Sequence, residues 1–401
     1  SIAGTIRTRE GVGILGVSTN VSGFVSAAVP TAAGGAYLFT DLPAGEDYTV
    51  TPFLDAAHLN GVSTLDLVLI SKHILDIVVL DNPYRLMAAD ANNSGGITTL
   101  DLIQMRRLIL GLDSAFPNNT SWRFVPADYE FSDPTNPWLN NFPEVTNLNN
   151  LPAGLTTADF IGVKVGDVNA SASTNLLAPA LEERGNGRVE LSLDDRDLLP
   201  GETYEIVVRA GEMAGFQGTL AFRDAELVSL TQPSGGTENF GTQFADLGLL
   251  AMSFDSPPAA GEELFRIGIR ANRAGRLSEL LSLTDRITRS EGYSTAGEVR
   301  NLVLNFGTTI VSGEAGFDLA QNSPNPVVEQ TAIGFTLPTA GSATLTVRDI
   351  AGRTLLVRTI KGVAGKQTIN LRRRELGGTS GLLTYTLTAG DFTATRKMIV
   401  E

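Results

Sequence analysis

At 401 residues the chain is long for one domain, and length alone points to about two to four. It has no cysteine, which excludes disulfides and thiolate-bound metals, and its only histidines, His58 and His73, cannot form a histidine cluster. The formal charge of −14, from 44 acidic against 30 basic residues, argues against a nucleic-acid partner, and no apolar run reaches transmembrane length.

Ser1 does not open a secretory leader, so the chain is expected to begin within a mature or larger protein. Its 42 glycines punctuate short alternating runs rich in Thr, Val and Leu, the pattern of antiparallel strands joined by tight turns. Residues 1–53 are the first such block, with Gly35-Ala-Tyr37-Leu-Phe39-Thr-Asp41-Leu-Pro43-Ala-Gly45-Glu-Asp-Tyr48-Thr-Val50 at its centre. The series resembles the carboxypeptidase-regulatory or collagen-adhesin B-type sandwich, and the resemblance implies that Tyr37, Phe39, Tyr48 and Val50 fill its core. No chemistry-bearing cluster appears here, and a spacer role is expected.

The next element is a repeat. Val62-Ser-Thr-Leu-Asp66-Leu-Val-Leu-Ile-Ser-Lys-His-Ile-Leu75 lies over Ile97-Thr-Thr-Leu-Asp101-Leu-Ile-Gln-Met-Arg-Arg-Leu-Ile-Leu110. Leu67, Ile70 and Ile74 match Leu102, Met105 and Ile109, spaced to share one face of a helix. Immediately before the second copy, Asp90, Asn92, Ser94, Thr98 and Asp101 place side-chain oxygens at positions 1, 3, 5, 9 and 12 of a twelve-residue loop. Gly96 offers its carbonyl at position 7, and Gly95 stands at position 6, where such a loop must turn sharply. A Ca²⁺ ion takes about six to eight oxygens, which a short loop supplies only by turning back on itself. A polar turn capping a helix is the competing explanation, since Asp and Asn favour both roles; the duplication favours calcium. The first copy is depleted: Asp55 stands at position 1 and Asp66 at position 12, but Ala57 and Leu59 replace the oxygens between. Two loop–helix units with aspartate at position 12 resemble a type I dockerin, which implies a cohesin-like partner. One strong calcium site and one weak or absent one are expected, within a module spanning 54–170.

Residues 113–166 read as an aromatic insertion wrapping the helix pair, with Trp122, Phe124 and Phe131 packed inward. A sugar-stacking platform of Trp122 and Trp138 is the alternative. The insertion ends at Asp167-Val-Asn169, which repeats the opening of a calcium loop and could donate oxygens to the depleted first site. Asp113-Ser114-Ala115 matches a short O-glycosylation signal.

Residues 171–187 read as a linker, followed by a second β-rich module at 188–308. Its landmarks are Leu199-Pro200-Gly201, Gly215-Phe216-Gln217-Gly-Thr-Leu220-Ala-Phe222 and Leu264-Phe265. Their order resembles a cohesin-type jelly-roll sandwich, the receptor of dockerins, so pairing within the chain or with a neighbouring copy is expected.

After a linker at 309–316, residues 317–401 contain Asn322-Ser-Pro324-Asn325-Pro326, Ile333-Gly-Phe335-Thr-Leu337-Pro338, Val347-Arg-Asp349-Ile-Ala-Gly352-Arg353 and a terminal Lys397-Met-Ile-Val400. This set resembles the type A C-terminal sorting domain of type IX secretion. Leu383 stands where that family has tyrosine, with Tyr385 on the same strand face. The resemblance implies recognition by an outer-membrane secretion machinery and a secreted or cell-surface location on a Gram-negative bacterium.

No nucleophile elbow, phosphate loop or histidine cluster is present, and the acid pairs Asp194-Asp195 and Glu262-Glu263 lie beside turns and read as solvated. The expected fold class is mainly β and multidomain, with β-sandwich modules in tandem and one small α-helical calcium-binding module. The expected function is non-catalytic: a structural or adhesive part of an extracellular protein, assembling into a homo-oligomer or filament, with Ca²⁺ as its ion. A carbohydrate-binding scaffold for an upstream polysaccharide-degrading enzyme is the alternative.

Overall fold

The computed structural model describes residues 1–175, 187–307, 310–312, 318–337, 341–349, 353–363, 365–390 and 392–400. Most of both expected linkers lie outside these residues, as do Pro338 and Gly352 of the C-terminal motifs. Strands dominate and helices are few, so the chain is mainly β with several packed sheets. Among the described residues no helix is long and apolar enough to cross a membrane.

The first block contains β1 (Ile2–Arg7), β2 (Ser18–Gly23), β3 (Ala27–Pro30), β4 (Ala36–Phe39) and β5 (Tyr48–Phe53). Four more strands arrive only after the helices: β6 (Trp122–Pro126), β7 (Thr146–Leu148), β8 (Thr156–Thr157) and β9 (Phe160–Lys164). One sheet runs β4-β1-β9-β6 with β8 beside β1, and the other runs β3-β2-β5-β7. The boundary expected at residue 53 therefore does not separate two structural units. Residues 113–166 do not simply wrap the helices; they supply strands to both sheets of the first sandwich.

Side-chain alternation explains the difference. Trp122 and Phe124 project from β6 into the sandwich core with Ile2, Ile6, Tyr37, Phe39, Tyr48 and Val50. Val125, between them and the next position on that face, packs instead with Val163 and Val165 against the helices. The β6–β9 pair thus serves two cores, one on each face. Of the three aromatics expected on the helices, only Phe131 packs there, edge-on to Tyr84 and Tyr129.

The helices are α1 (Thr64–Ile74), α2 (Pro83–Ala89) and α3 (Thr99–Ile109). Ser63 and Thr98 start α1 and α3 with reciprocal capping boxes to Asp66 and Asp101, so each acid that closes a loop also begins a helix. Asn82 caps α2, its Oδ1 accepting from the Arg85 N–H, with proline at the first helical position. Leu67, Ile70, Leu102, Met105 and Ile109 are buried as the repeat predicts, but Ile74 is exposed.

Residues 188–306 form a second sandwich in one continuous hydrogen-bonded sheet folded over a core that includes Phe216, Phe240, Phe254 and Phe265. The strands Gly215–Phe222, Leu249–Phe254 and Glu291–Tyr293 lie side by side. Residues 318–400 make a third sandwich from a three-stranded and a four-stranded sheet. There Leu383 and Tyr385 are both buried, and the Tyr385 hydroxyl donates to the Ala320 carbonyl and accepts from the Asn322 N–H, each at 2.8 Å.

Candidate functional site

The 90–101 loop is organised by its two carboxylates. Asp90 Oδ1 accepts from the Ser94 N–H at 2.8 Å and Oδ2 from the Gly95 N–H at 2.9 Å. Asn92 Oδ1 accepts from the same Ser94 N–H at 3.0 Å. Asp101 Oδ1 accepts from the Asn92 N–H at 3.0 Å, and Oδ2 from the Thr98 N–H and hydroxyl at 2.8 and 3.1 Å. The Ser94 hydroxyl donates to the Gly96 carbonyl at 3.3 Å. Gly95 has φ +80°, the left-handed conformation that the turn at position 6 requires.

A second set of groups repeats this pattern across two distant segments. Asp167 Oδ1 accepts from the Ser171 N–H at 3.0 Å and Oδ2 from the Ala172 N–H at 2.8 Å. Asn169 Oδ1 accepts from the Ser171 N–H at 3.0 Å. Asp66 Oδ1 accepts from the Val168 and Asn169 N–H groups at 2.9 and 3.3 Å, while Oδ2 accepts from the Ser63 N–H and hydroxyl, both at 2.9 Å. The Ser171 hydroxyl donates to the Gly61 carbonyl at 3.1 Å. Asp167, Asn169 and Ser171 therefore stand where Asp90, Asn92 and Ser94 stand. Gly61, Ser63 and Asp66 take the places of Gly96, Thr98 and Asp101. A Cβ added to Gly61 would lie 2.6 Å from the Ala172 Cβ, so the two segments abut where the contiguous loop passes from Gly95 to Gly96.

This geometry corrects one expected site residue. Asp55 is not the first position of a loop: its Oδ1 faces His58 Nε2 at 2.9 Å and accepts from the Ser121 N–H at 2.8 Å. Asp167 takes that place instead. Asp66, Asp167 and Asn169, expected from the sequence, are brought together here, and Gly61, Ser63 and Ser171 join them. The signal for Ser171 was available, because Asp-x-Asn-x-Ser occurs at both 90–94 and 167–171.

Both loops bury their acids. Asp66, Asp90 and Asp101 are fully buried and Asp167 nearly so, and none has an ion-pair partner among the described residues. Burial holds Asp66 well above the usual carboxylate range, and the neighbouring Asp167 charge adds to the shift. Burial likewise raises Asp167 and Asp101. The buried Lys164 ammonium donates to the His58 and Val165 carbonyls at 2.8 Å each; burial lowers it to about 7, against the pull of Asp167 and Asp66.

Each loop gathers two carboxylates, an amide oxygen, a hydroxyl and a backbone carbonyl, an all-oxygen set that suits a hard dication. Among the described residues no cluster of three or more His, Cys, Asp or Glu side chains is placed for a metal. A cation at either loop would thus draw most of its ligands from neutral oxygens and its charge balance from one pair of acids.

The helix pair built on these loops lies against the second sandwich. The Thr64 N–H, which has no partner within its own helix, donates to Gln217 Oε1 at 2.7 Å, and the Thr64 and Ser253 hydroxyls meet at 2.7 Å. At the other end, the carbonyls of Ile109 and Leu110 that close α3 accept from the Thr288 hydroxyl at 2.6 Å and Gln243 Nε2 at 3.2 Å. Asp255 joins both helices, accepting from the Ser71 hydroxyl at 2.8 Å and from Arg106 at 2.6 Å. Glycine allows the close approach: a Cβ on Gly241 would lie 2.7 Å from the Leu110 carbonyl oxygen.

The repeat gives this face a counterpart. Leu65, Val68 and Leu110 are at most 6% exposed, whereas their repeat mates Leu100, Ile103 and Leu75 are 59, 47 and 67% exposed. Ile74, the mate of buried Ile109, is exposed as well.

The tryptophan platform, the alternative reading of the insertion, is not assembled. Trp122 is buried in the first core, so neither face of its indole is open for stacking, and half-buried Trp138 packs beside Gly95. Of the acid pairs expected at the surface, Asp195 has a buried side chain that receives Arg276 and the Ser278 hydroxyl.

No protein-family model and no curated protein matches the chain. Among solved structures, the Bacillus anthracis TIE protein shares 7% identity at a TM-score of 0.19; the match covers 99% of this chain and 46% of that one. A tri-modular endo-beta-1,4-glucanase from Bacillus licheniformis shares 11% at 0.18, covering 54% of this chain and 38% of the enzyme. Dimeric latent PorU from Porphyromonas gingivalis shares 10% at 0.19, with 70 and 28% covered. The chain spans less than half the length of each, and similarity this low carries no functional argument.

Proposed function

We propose that the chain is a non-catalytic structural part of a secreted or cell-surface protein, in which two calcium-loaded loops stiffen a dockerin-like helix pair that clasps the cohesin-like sandwich following it. Residues 317–401 act as the sorting domain that addresses the protein to type IX secretion and so to the surface of a Gram-negative bacterium. The observation that carries this reading is the repeated hydrogen-bond pattern of the contiguous and split loops, each closing on a buried acid pair. Buried carboxylates without a direct ion-pair partner are costly, and a bound dication offsets that cost while fixing the start of α1 and α3.

Self-assembly into oligomers or filaments is the second part of the proposal. Its support is the exposed apolar residues Leu75, Leu100 and Ile103, the repeat-related counterparts of those buried where the helices meet the sandwich.

Calcium titration of the chelator-stripped full chain by calorimetry tests the ion reading. Two ions per chain are expected, with Asp90→Asn and Asp167→Asn each removing one. A chain that binds no calcium in the millimolar range would sink the proposal. Sedimentation with and without calcium tests assembly; it should show association that Leu100→Asp abolishes, and a monomer under every condition would remove that part alone.

A further inference from the structure

Beside the split loop, and bounded by parts of the chain that meet only on folding, lies a cleft of about 920 Å³. Its wall takes Arg9 and Glu10 from the β1–β2 connection, Tyr84 and Arg85 from α2, and Trp122 and Lys164 from β6 and β9. A cleft this size accommodates a ligand of one to two rings.

Its polar groups are unevenly matched. Trp122 is 3% exposed, and its buried indole N–H has no acceptor among the described residues. Buried donors in folded proteins are almost always paired, so an orphan on a cleft wall calls for an oxygen from outside the chain. Lys164, 4% exposed, has three donors and uses two of them on backbone carbonyls. At the rim, the Arg9 guanidinium is exposed and close enough to Tyr84 to act on its hydroxyl, while Arg85 holds the Val168 carbonyl through Nε at 2.8 Å and reaches the exposed Asp81 carboxylate through Nη1 at 3.4 Å. Thr8 and Thr174 add hydroxyl-bearing residues. In a chain with net charge −14, a concave wall lined by Arg9, Arg85 and Lys164 against Glu10 and Asp167 is a local reversal of charge.

We propose that this cleft binds a sugar acid: the carboxylate is held between Arg9 and Arg85, and a ring or hydroxyl oxygen accepts from the Trp122 indole. A neutral sugar would leave Arg9 without a carboxylate among the described residues and Arg85 with only its long contact to the exposed Asp81. A ligand without hydroxyls would leave the indole unpaired. The recognition uses the edge of Trp122 rather than its face, which is why a buried tryptophan serves here. It does not depend on an ion in the split loop.

The chain's two tryptophans make the test direct, because they give two indole N–H resonances and Trp138→Phe leaves that of Trp122 alone. Digalacturonate added to the ¹⁵N-labelled full chain should move this resonance downfield and saturably. The methyl-esterified disaccharide, with the same rings and no carboxylate charge, should bind at least roughly tenfold more weakly. Arg9→Ala, an exposed loop substitution that leaves both cores untouched, should weaken digalacturonate by roughly tenfold. An indole resonance unmoved at millimolar digalacturonate overturns the proposal. So does equal binding of acid and ester, or an Arg9→Ala variant that binds as the parent does.

Discussion

Asn60 and Ser173, 113 residues apart, hold each other by two hydrogen bonds: Asn60 Nδ2 donates to the Ser173 carbonyl at 2.9 Å, and the Ser173 N–H donates to Asn60 Oδ1 at 3.0 Å. One amide thus replaces the covalent link that keeps the two halves of the contiguous loop together. Asn60→Ala removes both bonds and should cost about 1–3 kcal/mol of stability. It should also weaken calcium at the split loop while the 90–101 loop binds as before. Calorimetric titration of the variant checks this, and unchanged affinities at both sites would show that Asn60 is no part of the site.

Trp138 packs over Gly95, with side-chain atoms 3.8 Å from where a glycine Cβ would stand. Terbium, a hard oxygen-seeking ion, should therefore occupy the 90–101 loop and emit on excitation of Trp138. Trp138→Phe should remove most of that emission without removing the bound ion, whereas Asp90→Asn should remove both. Sensitised emission that survives Trp138→Phe at full strength would place the ion elsewhere.

The acid pair of the split loop makes the metal-free chain sensitive to pH. Burial, then the Asp167 charge, holds Asp66 above its unfolded value, so the folded chain keeps a proton that the unfolded chain loses above about pH 4. Stability of the chelated protein should consequently fall as pH rises from there through the raised value. Lys164, lowered to about 7, contributes only above that pH and with the opposite sign. Asp167→Asn removes the neighbouring charge and should flatten the fall, a comparison that cancels contributions shared by both proteins, the histidines among them. With calcium present the trend should reverse, since the ion binds the ionised pair. Thermal melts at pH 4.5 to 6.5 in chelator, parent against variant, give the measurement; parallel slopes would mean the pair is not coupled.

The sites and strands differed in how much of them could be read beforehand, and for physical reasons. The Asp90 to Asp101 loop is legible because its oxygen-bearing positions lie in one short segment, so the spacing itself carries the geometry. For Asp66 the spacing misleads: Asp55 stands at the correct distance along the chain, while Asp167, which meets it in space, arrives from the end of β9. Residues 1–53 show clean alternation because their sheets bury one face. β6 shows none, since Trp122 and Phe124 fill one core and Val125 another, and a strand buried on both faces loses its period. The sequence pattern therefore places Trp122 and Phe124 with the helices, whereas both fill the sandwich core. The face of α1 and α3 against the second sandwich is likewise hidden, because Thr64, Ser71 and Arg106 look like side chains turned to water until Gln217, Ser253 and Asp255 are placed opposite them.

That contact depends on Asp255. Its carboxylate and the Arg106 guanidinium pair at 2.6 Å, and their side chains are only 11 and 14% exposed. Asp255→Ala would leave Arg106 buried without its counter-charge and Ser71 without its acceptor, a loss of about 3 kcal/mol or more from the docking of helices on sandwich. Removing both charges together, with Arg106→Met and Asp255→Ala, should recover much of that loss, because the desolvation cost disappears with the pair. Hydrogen exchange reads the difference locally: amides of α1, α3 and the strand Gly215–Phe222 should exchange faster in Asp255→Ala, and closer to parental rates in the double variant. Equal protection in all three proteins would mean that the helix pair is held to the sandwich by something other than this ion pair.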